Sequence, residues 1–197
     1  MPLRYLALGD SYTIGTSVDR AERWPDQLVA RMPERLVLVG NPAVDGYTSA
    51  DLVHDELPVV ARLDPDLVSL LIGVNDVVQG VDETTYARNV AHILDTLGAR
   101  LPARRIFAVA TPDYTLTPQG AAYGAPDARR AGIVHVNALL ADACAARGIA
   151  FVPEIFAISG GVADDPSLVA GDGLHPSGTQ YARWVDAIEP VVRDLLS

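Results

Sequence analysis

The chain has 197 residues, a formal net charge of −10 and a hydrophobic content of 49%, which suits one domain over residues 1–197 able to bury a core without disulfides or metal. The acidic balance repels phosphate backbones, so nucleic acid is not an expected partner. Every basic residue is arginine, which excludes Schiff-base chemistry and a P-loop lysine, and the one cysteine, Cys144, can neither pair within the chain nor build a zinc site.

Short apolar runs alternate with helical patterns. Strands are predicted at Tyr5–Leu8, Leu36–Val39, Leu67–Ile72, Ile106–Ala110 and Ile149–Val152; they are continuous rather than alternating, as parallel strands covered on both faces should be. The first helix, Trp24–Met32, opens with Pro25 in its first turn. A second runs from Thr48 to Arg62, with Thr48 or Ser49 as caps and Pro58 kinking or splitting it. Thr84–Leu97 follows Asp82 and sets Tyr86, Val90, Ile93, Leu94 and Leu97 on one face. Asp127–Arg147 is rich in Ala and Leu, holds Cys144 as a small buried apolar residue and ends at Gly148. The last helix, Ser177–Leu196, faces Tyr181, Trp184, Val185, Ile188, Val192 and Leu195 inward and should bend at Pro190. The alternation predicts an α/β domain with a parallel sheet. Long loops are expected at 111–126 and 157–171, as substrate walls or lids. The chain opens directly into a strand and lacks both a signal-peptide pattern and a run of the roughly 18 apolar residues that cross a bilayer. A cytoplasmic protein without stable membrane insertion is expected, its oligomeric state left open.

Polar clusters follow the strands. Gly9-Asp10-Ser11-Tyr12 comes after the first, Asn41 and then Gly46-Tyr47-Thr48-Ser49 after the second, Gly73-Val74-Asn75-Asp76 after the third, and Asp172-Gly173-Leu174-His175-Pro176 after the fifth and its loop. In open α/β sheets ligands bind outside the carboxyl ends of the strands, so these clusters share one edge. A serine nucleophile needs a base, an orienter for that base and donors for an oxyanion. Ser11 sits at a strand-to-loop turn beside a glycine. His175 brings an imidazole, whose ordinary pKa of about 6.5 suits acid–base work near neutrality. Asp172 lies three residues earlier and can accept from the other ring nitrogen. Gly46 lets a backbone N–H approach substrate without a side chain in the way, and Asn75 offers a side-chain amide. Tyr12, Val77, Tyr114, Tyr123 and Leu174 are candidates for the pocket walls.

These four blocks, in order, resemble those of the SGNH hydrolases, the GDSL esterases and lipases: GDS at Gly9–Ser11, the second-block glycine at Gly46, GxND at Gly73–Asp76 and DxxHP at Asp172–Pro176. The resemblance spans nearly the whole chain. It implies a flavodoxin-like three-layer α/β/α fold with a five-stranded parallel sheet. It implies Ser11 as nucleophile, His175 as base and Asp172 as its partner, with an oxyanion hole from the N–H groups of Ser11 and Gly46 and the amide of Asn75. No cofactor or metal is implied. Tyr12 departs from the family's leucine, which alters the wall beside the nucleophile.

Bland roles are expected elsewhere. Asp10 and Asp76 should order their own loops, and Asn75 also suits a plain turn. His54, His92 and His135 lie on helices as surface or packed residues, and Asp164-Asp165 faces solvent. The expected function is carboxylic-ester hydrolysis through an acyl-enzyme. The same machinery would serve a thioesterase, a lysophospholipase or a carbohydrate acetylesterase. An alternative of another class is a non-catalytic binding module on a flavodoxin-like scaffold, although GDSYTIG offers no phosphate cradle.

Overall fold

A computed structural model describes residues 1–197. Five strands, β1 (Leu3–Gly9), β2 (Leu36–Gly40), β3 (Leu67–Leu71), β4 (Ile106–Val109) and β5 (Ala150–Val152), form one sheet in the order β2-β1-β3-β4-β5. Every neighbouring pair is parallel. The helices are α1 (Ser11–Ile14), α2 (Trp24–Arg31), α3 (Ser49–Asp51), α4 (Leu57–Leu63), α5 (Val74–Gln79), α6 (Glu83–Gly98), α7 (Pro126–Ala145), α8 (Glu154–Ser159) and α9 (Gly178–Leu195).

Side chains alternate across the sheet and split the apolar residues into two cores. Tyr5, Ala7, Leu67, Leu71, Phe107 and Val109 point toward α2, α8 and α9, where they meet Trp24, Leu28, Ile155, Tyr181 and Trp184. Leu6, Leu8, Val68, Leu70, Ile106 and Ala108 point toward α4, α6 and α7, where they meet Val60, Val90, Ile93, Leu94 and Leu140. The result is the expected three-layer α/β/α fold with a flavodoxin-like strand order. The order reverses between β1 and β3, where such folds place their ligands.

Three stretches depart from the sequence reading. The Thr48–Arg62 helix is split, but not at Pro58 itself: a π-helical turn, Leu52–Glu56, separates α3 from α4. Proline lacks an N–H and its ring crowds the carbonyl four residues back, and the widened turn relieves both while Pro58 serves in the first turn of α4. The 157–171 stretch is not a free loop. It starts inside α8 and continues through 3₁₀ turns at Gly160–Ala163 and Pro166–Leu168, pinned by buried Val162 and Leu168. The 111–126 loop is present, interrupted by one 3₁₀ turn at Gly120–Tyr123. Helix α9 runs continuously through Pro190, which lies on its exposed side.

Gly9 is where the fold meets the site. It pairs with Leu71 across β1 and β3, and its N–H donates to Glu56 Oε2 at 3.0 Å. A Cβ there would lie 2.5 Å from the Leu71 carbonyl oxygen and 2.3 Å from Thr13 Oγ1. Gly9→Ala should therefore force the strand end and α1 apart, at about 1–3 kcal/mol, the usual cost of overpacking. Urea unfolding should show a lower midpoint; an unchanged midpoint contradicts this packing.

Candidate active site

Ser11 is the first residue of α1, immediately after β1. Asp10 caps that helix, its Oδ1 accepting from the Tyr12 N–H at 3.0 Å, so its role is the expected ordering of the loop. As a first-turn residue, Ser11 has a backbone N–H with no partner inside the helix. Asn41, at the end of β2, donates through Nδ2 to the Thr13 carbonyl at 2.8 Å and ties the neighbouring strand to the same turn.

His175 sits on a tight turn that enters α9. Gly173 takes a left-handed φ of 74° and its N–H returns to the Ala170 carbonyl, while Ala170 N–H donates to the His175 carbonyl at 2.7 Å. Asp172 is saturated with donors. Its Oδ1 accepts from the N–H groups of Leu174 and His175, and its Oδ2 accepts from His175 Nδ1 at 2.6 Å and from Ser17 Oγ at 2.7 Å. Partial burial alone would raise its pKa, but the hydrogen bonds from Ser17, His175 and Leu174 outweigh that and hold the carboxyl below its usual range. With Nδ1 bonded to a carboxylate, the neutral imidazole keeps its proton there and presents Nε2 as an acceptor.

Ser11 and His175 line the same cleft, of about 430 Å³ including its open mouth, together with Tyr12, Asp45, Val74, Asn75, Val78, Tyr114, Tyr123 and Leu174. No hydrogen bond directly joins Ser11 Oγ to His175 Nε2 here; catalytic contacts of this kind often tighten only around substrate. The Tyr12 ring packs on the His175 ring, centroids 5.2 Å apart, and on Trp184 at 6.2 Å, so the imidazole is braced by the core. Tyr114 and Tyr123 meet edge to face at 5.9 Å and form one wall.

The oxyanion candidates are held by a lattice between the β2 and β3 loops. Asn75 Nδ2 donates to the Tyr47 carbonyl at 2.9 Å, which uses one of its two amide hydrogens. Gln79 Nε2 donates to the Gly46 carbonyl at 3.0 Å, while the Gly46 N–H, in a left-handed turn at φ 83°, donates to no protein group. Gly46 is exposed at the rim beside Asp45 and is not itself among the residues lining the cleft. Asp76 accepts from Ser49 N and Oγ at 2.9 and 2.6 Å, joining the Asn75 turn to α3 as expected.

One pocket candidate is misplaced. Val77 does not line the cleft: it packs on Gly132 of α7, and its carbonyl accepts from Arg129. Asn75 and Asp76 lie not in the expected loop but in helix α5, whose 3.6-residue period puts Val74, Asn75 and Val78 on the cleft face and Val77 on the other. Val74, Val78, Asp45 and Ser17 were missed. Helix α5 spans too few residues to show a period in the sequence, and nothing in the sequence marks Ser17 or Asp45. No cluster of three or more His, Cys, Asp or Glu is placed to hold a metal, and no helix is long and apolar enough to cross a membrane.

A three-layer α/β/α domain that gathers serine, histidine and a bonded aspartate at its carboxyl edge has the architecture of a serine hydrolase. The sequence matches the model of the GDSL-like Lipase/Acylhydrolase family over residues 7–183, and the chain belongs to that family, whose members are carboxylic ester hydrolases of the SGNH type. Solved structures share the fold over nearly the full length. TesA is 22% identical, covering 98% of this chain and 99% of its own, with a TM-score of 0.73. Axe2, an acetylxylan esterase from Geobacillus stearothermophilus, is 20% identical, covering 96% and 94%, with a TM-score of 0.74. The esterase EstA from Pseudoalteromonas sp. is 16% identical, covering 98% and 98%, with a TM-score of 0.72. No curated protein sequence matches the chain.

Two further acids lie beneath the nucleophile turn. Burial pushes Asp10 up to about 8, against the opposing Tyr12 hydrogen bond, and burial pushes Glu56 up to about 8, against the hydrogen bond from Gly9. Each has one oxygen with no partner. Groups whose folded pKa is raised contribute stability that is full below their ordinary carboxyl range and is lost as pH climbs toward 8. Asp172 acts oppositely: its contribution is present above its ordinary value and is lost on acidification. Thermal unfolding should therefore peak in the mildly acidic range and fall by several degrees between about pH 5 and 8, with Glu56→Gln flattening that loss. A melting temperature that rises over that interval contradicts the buried-acid reading.

Proposed function

We propose that the protein hydrolyses esters of short acyl groups, with Ser11 as nucleophile, His175 as general base and Asp172 as the residue that orients it. The observation that carries this is the 2.6 Å contact between Asp172 Oδ2 and His175 Nδ1, on an imidazole that shares one cleft with Ser11. His175 Nε2 takes the proton as Ser11 Oγ bonds to the carbonyl carbon. The negative charge that develops on the carbonyl oxygen is met by the N–H groups of Ser11 and Gly46 and the free amide hydrogen of Asn75. Collapse breaks the bond to the alcohol, which leaves with the proton from His175, and the acyl group stays on Ser11. Water then attacks with His175 again as base, releasing the acid and restoring the hydroxyl. Asp172 stays ionised throughout and stabilises the transient imidazolium.

The short-acyl reading is supported by the cleft, whose interior of about 100 Å³ is well below the size of sites that take drug-sized ligands and which the Tyr114–Tyr123 pair bounds on one side. The name of Axe2 supports acetylated sugars as one source of such esters, and the fold it shares with this chain is compatible with that. A purely binding role has no use for an aspartate–histidine pair that shares a cleft with a serine.

The test is steady-state hydrolysis of aryl esters of rising acyl length. Acetate and butyrate esters should be preferred over decanoate and longer. Ser11→Ala should lower kcat on the order of 10⁶-fold with the fold intact, and Asn75→Ala by about 10²–10³-fold. Normal turnover by Ser11→Ala, in a folded protein, would refute the assignment.

A further inference from the structure

Ser17 lies in the turn that leaves α1, just outside the block that holds Ser11. Its backbone takes φ 69°; Asp64 is the one other non-glycine residue with positive φ. Asp64 has a ready explanation, as the left-handed C-cap of α4. Ser17 caps nothing. Glycine would adopt its conformation without strain, so the serine brings something glycine lacks. That something is the hydroxyl, which donates to Asp172 Oδ2 at 2.7 Å, from a position 155 residues away in the chain. The same oxygen faces His175 Nδ1. The other donors to Asp172, the N–H groups of Leu174 and His175, come from its own turn and cannot tell it where Ser11 is.

Ser17 can. Its turn folds directly back on the nucleophile, since the N–H groups of Gly15 and Thr16 both donate to the Ser11 carbonyl at 3.0 Å. The chain thus runs from Ser11 through one turn to Ser17, and from the Ser17 hydroxyl to Asp172 and His175. We propose that Ser17 is a positioning residue of the active site, a strained clamp that locks the aspartate–histidine turn against the nucleophile turn. Strained residues persist where the surroundings over-determine them, and they gather at functional sites. The same hydrogen bond helps keep Asp172 ionised despite its partial burial.

The inference rests on the proposed roles of Ser11, His175 and Asp172, and the test separates the two. Ser17→Gly removes the hydroxyl but relieves the backbone, effects of opposite sign on stability, so it should fold and melt within a few degrees of the parent. Its kcat on a short aryl ester should fall about 10- to 100-fold, the worth of a hydrogen bond to a charged group, with KM unchanged. An Asp172 with one donor fewer is more basic and holds an imidazolium more tightly. The acid limb of the kcat/KM profile should therefore move to higher pH, and so should the His175 titration followed by NMR. The NMR measurement needs no turnover, so it reads the Ser17–Asp172–His175 chain even if the esterase reading fails. Ser17→Ala, which keeps the strain, should show the same kinetic loss with a lower melting temperature than Ser17→Gly. Parental kcat together with an unmoved His175 titration in Ser17→Gly would overturn the proposal.

Discussion

Five parallel strands must all end at one edge of their sheet, and that constraint turns residues scattered over the whole chain into one site. β1 and β3 are the central pair, buried on both faces, and their register sets Gly9 opposite Leu71. The turns that follow are Ser11 on one side and Asn75 on the other. His175 arrives differently, as the entry to α9. Helix α9 is fixed by Tyr181, Trp184, Val185 and Ile188 in the core it shares with Trp24 and Leu28 of α2. Tyr12, between the His175 ring and Trp184, joins that core to the imidazole. The hydrophobic packing that holds the third layer on the sheet is thus also what brings His175 to the cleft that Ser11 lines.

The acids around the site divide by environment rather than by type. Asp172 is partly exposed and fully supplied with donors, and it is held ionised. Asp10 and Glu56 are buried, each with an oxygen left unpaired, and they are pushed toward the neutral form. This separation puts one negative charge behind the His175 imidazole, where an imidazolium would be stabilised, and disfavours charge in the buried floor beneath Ser11. The turn that delivers Glu56 is the π-helical segment ahead of Pro58, so a local backbone irregularity places a carboxyl oxygen on the Gly9 N–H.

Much of this was legible in the sequence because it depends on short-range signals. The continuous apolar runs marked every strand to within two residues, and Asp82 and Ser177 marked helix starts that the structure caps with those same side chains. The four polar blocks pointed to Ser11, Asn75, Asp172 and His175, which share one edge. What could not be read were features set by packing. Helices α1 and α5 are too short to show a period, which is why Val77 was taken for a wall and Val74 and Val78 were not. The segment after α8 looks like a loop by its glycines and aspartates, yet Val162 and Leu168 bury it. Ser17 is an exposed serine in a turn, and its partner is specified by the tertiary fold alone.

The central claim is that the hydroxyl of Ser11 is activated by an imidazole held by Asp172. Covalent labelling with a fluorophosphonate, followed by peptide mapping, tests it most directly, because phosphonylation requires the activated hydroxyl and no knowledge of the natural ester. One adduct per chain, on Ser11, that is lost in His175→Ala is the predicted result. An adduct on another residue, or a Ser11 that labels equally well without His175, would contradict it.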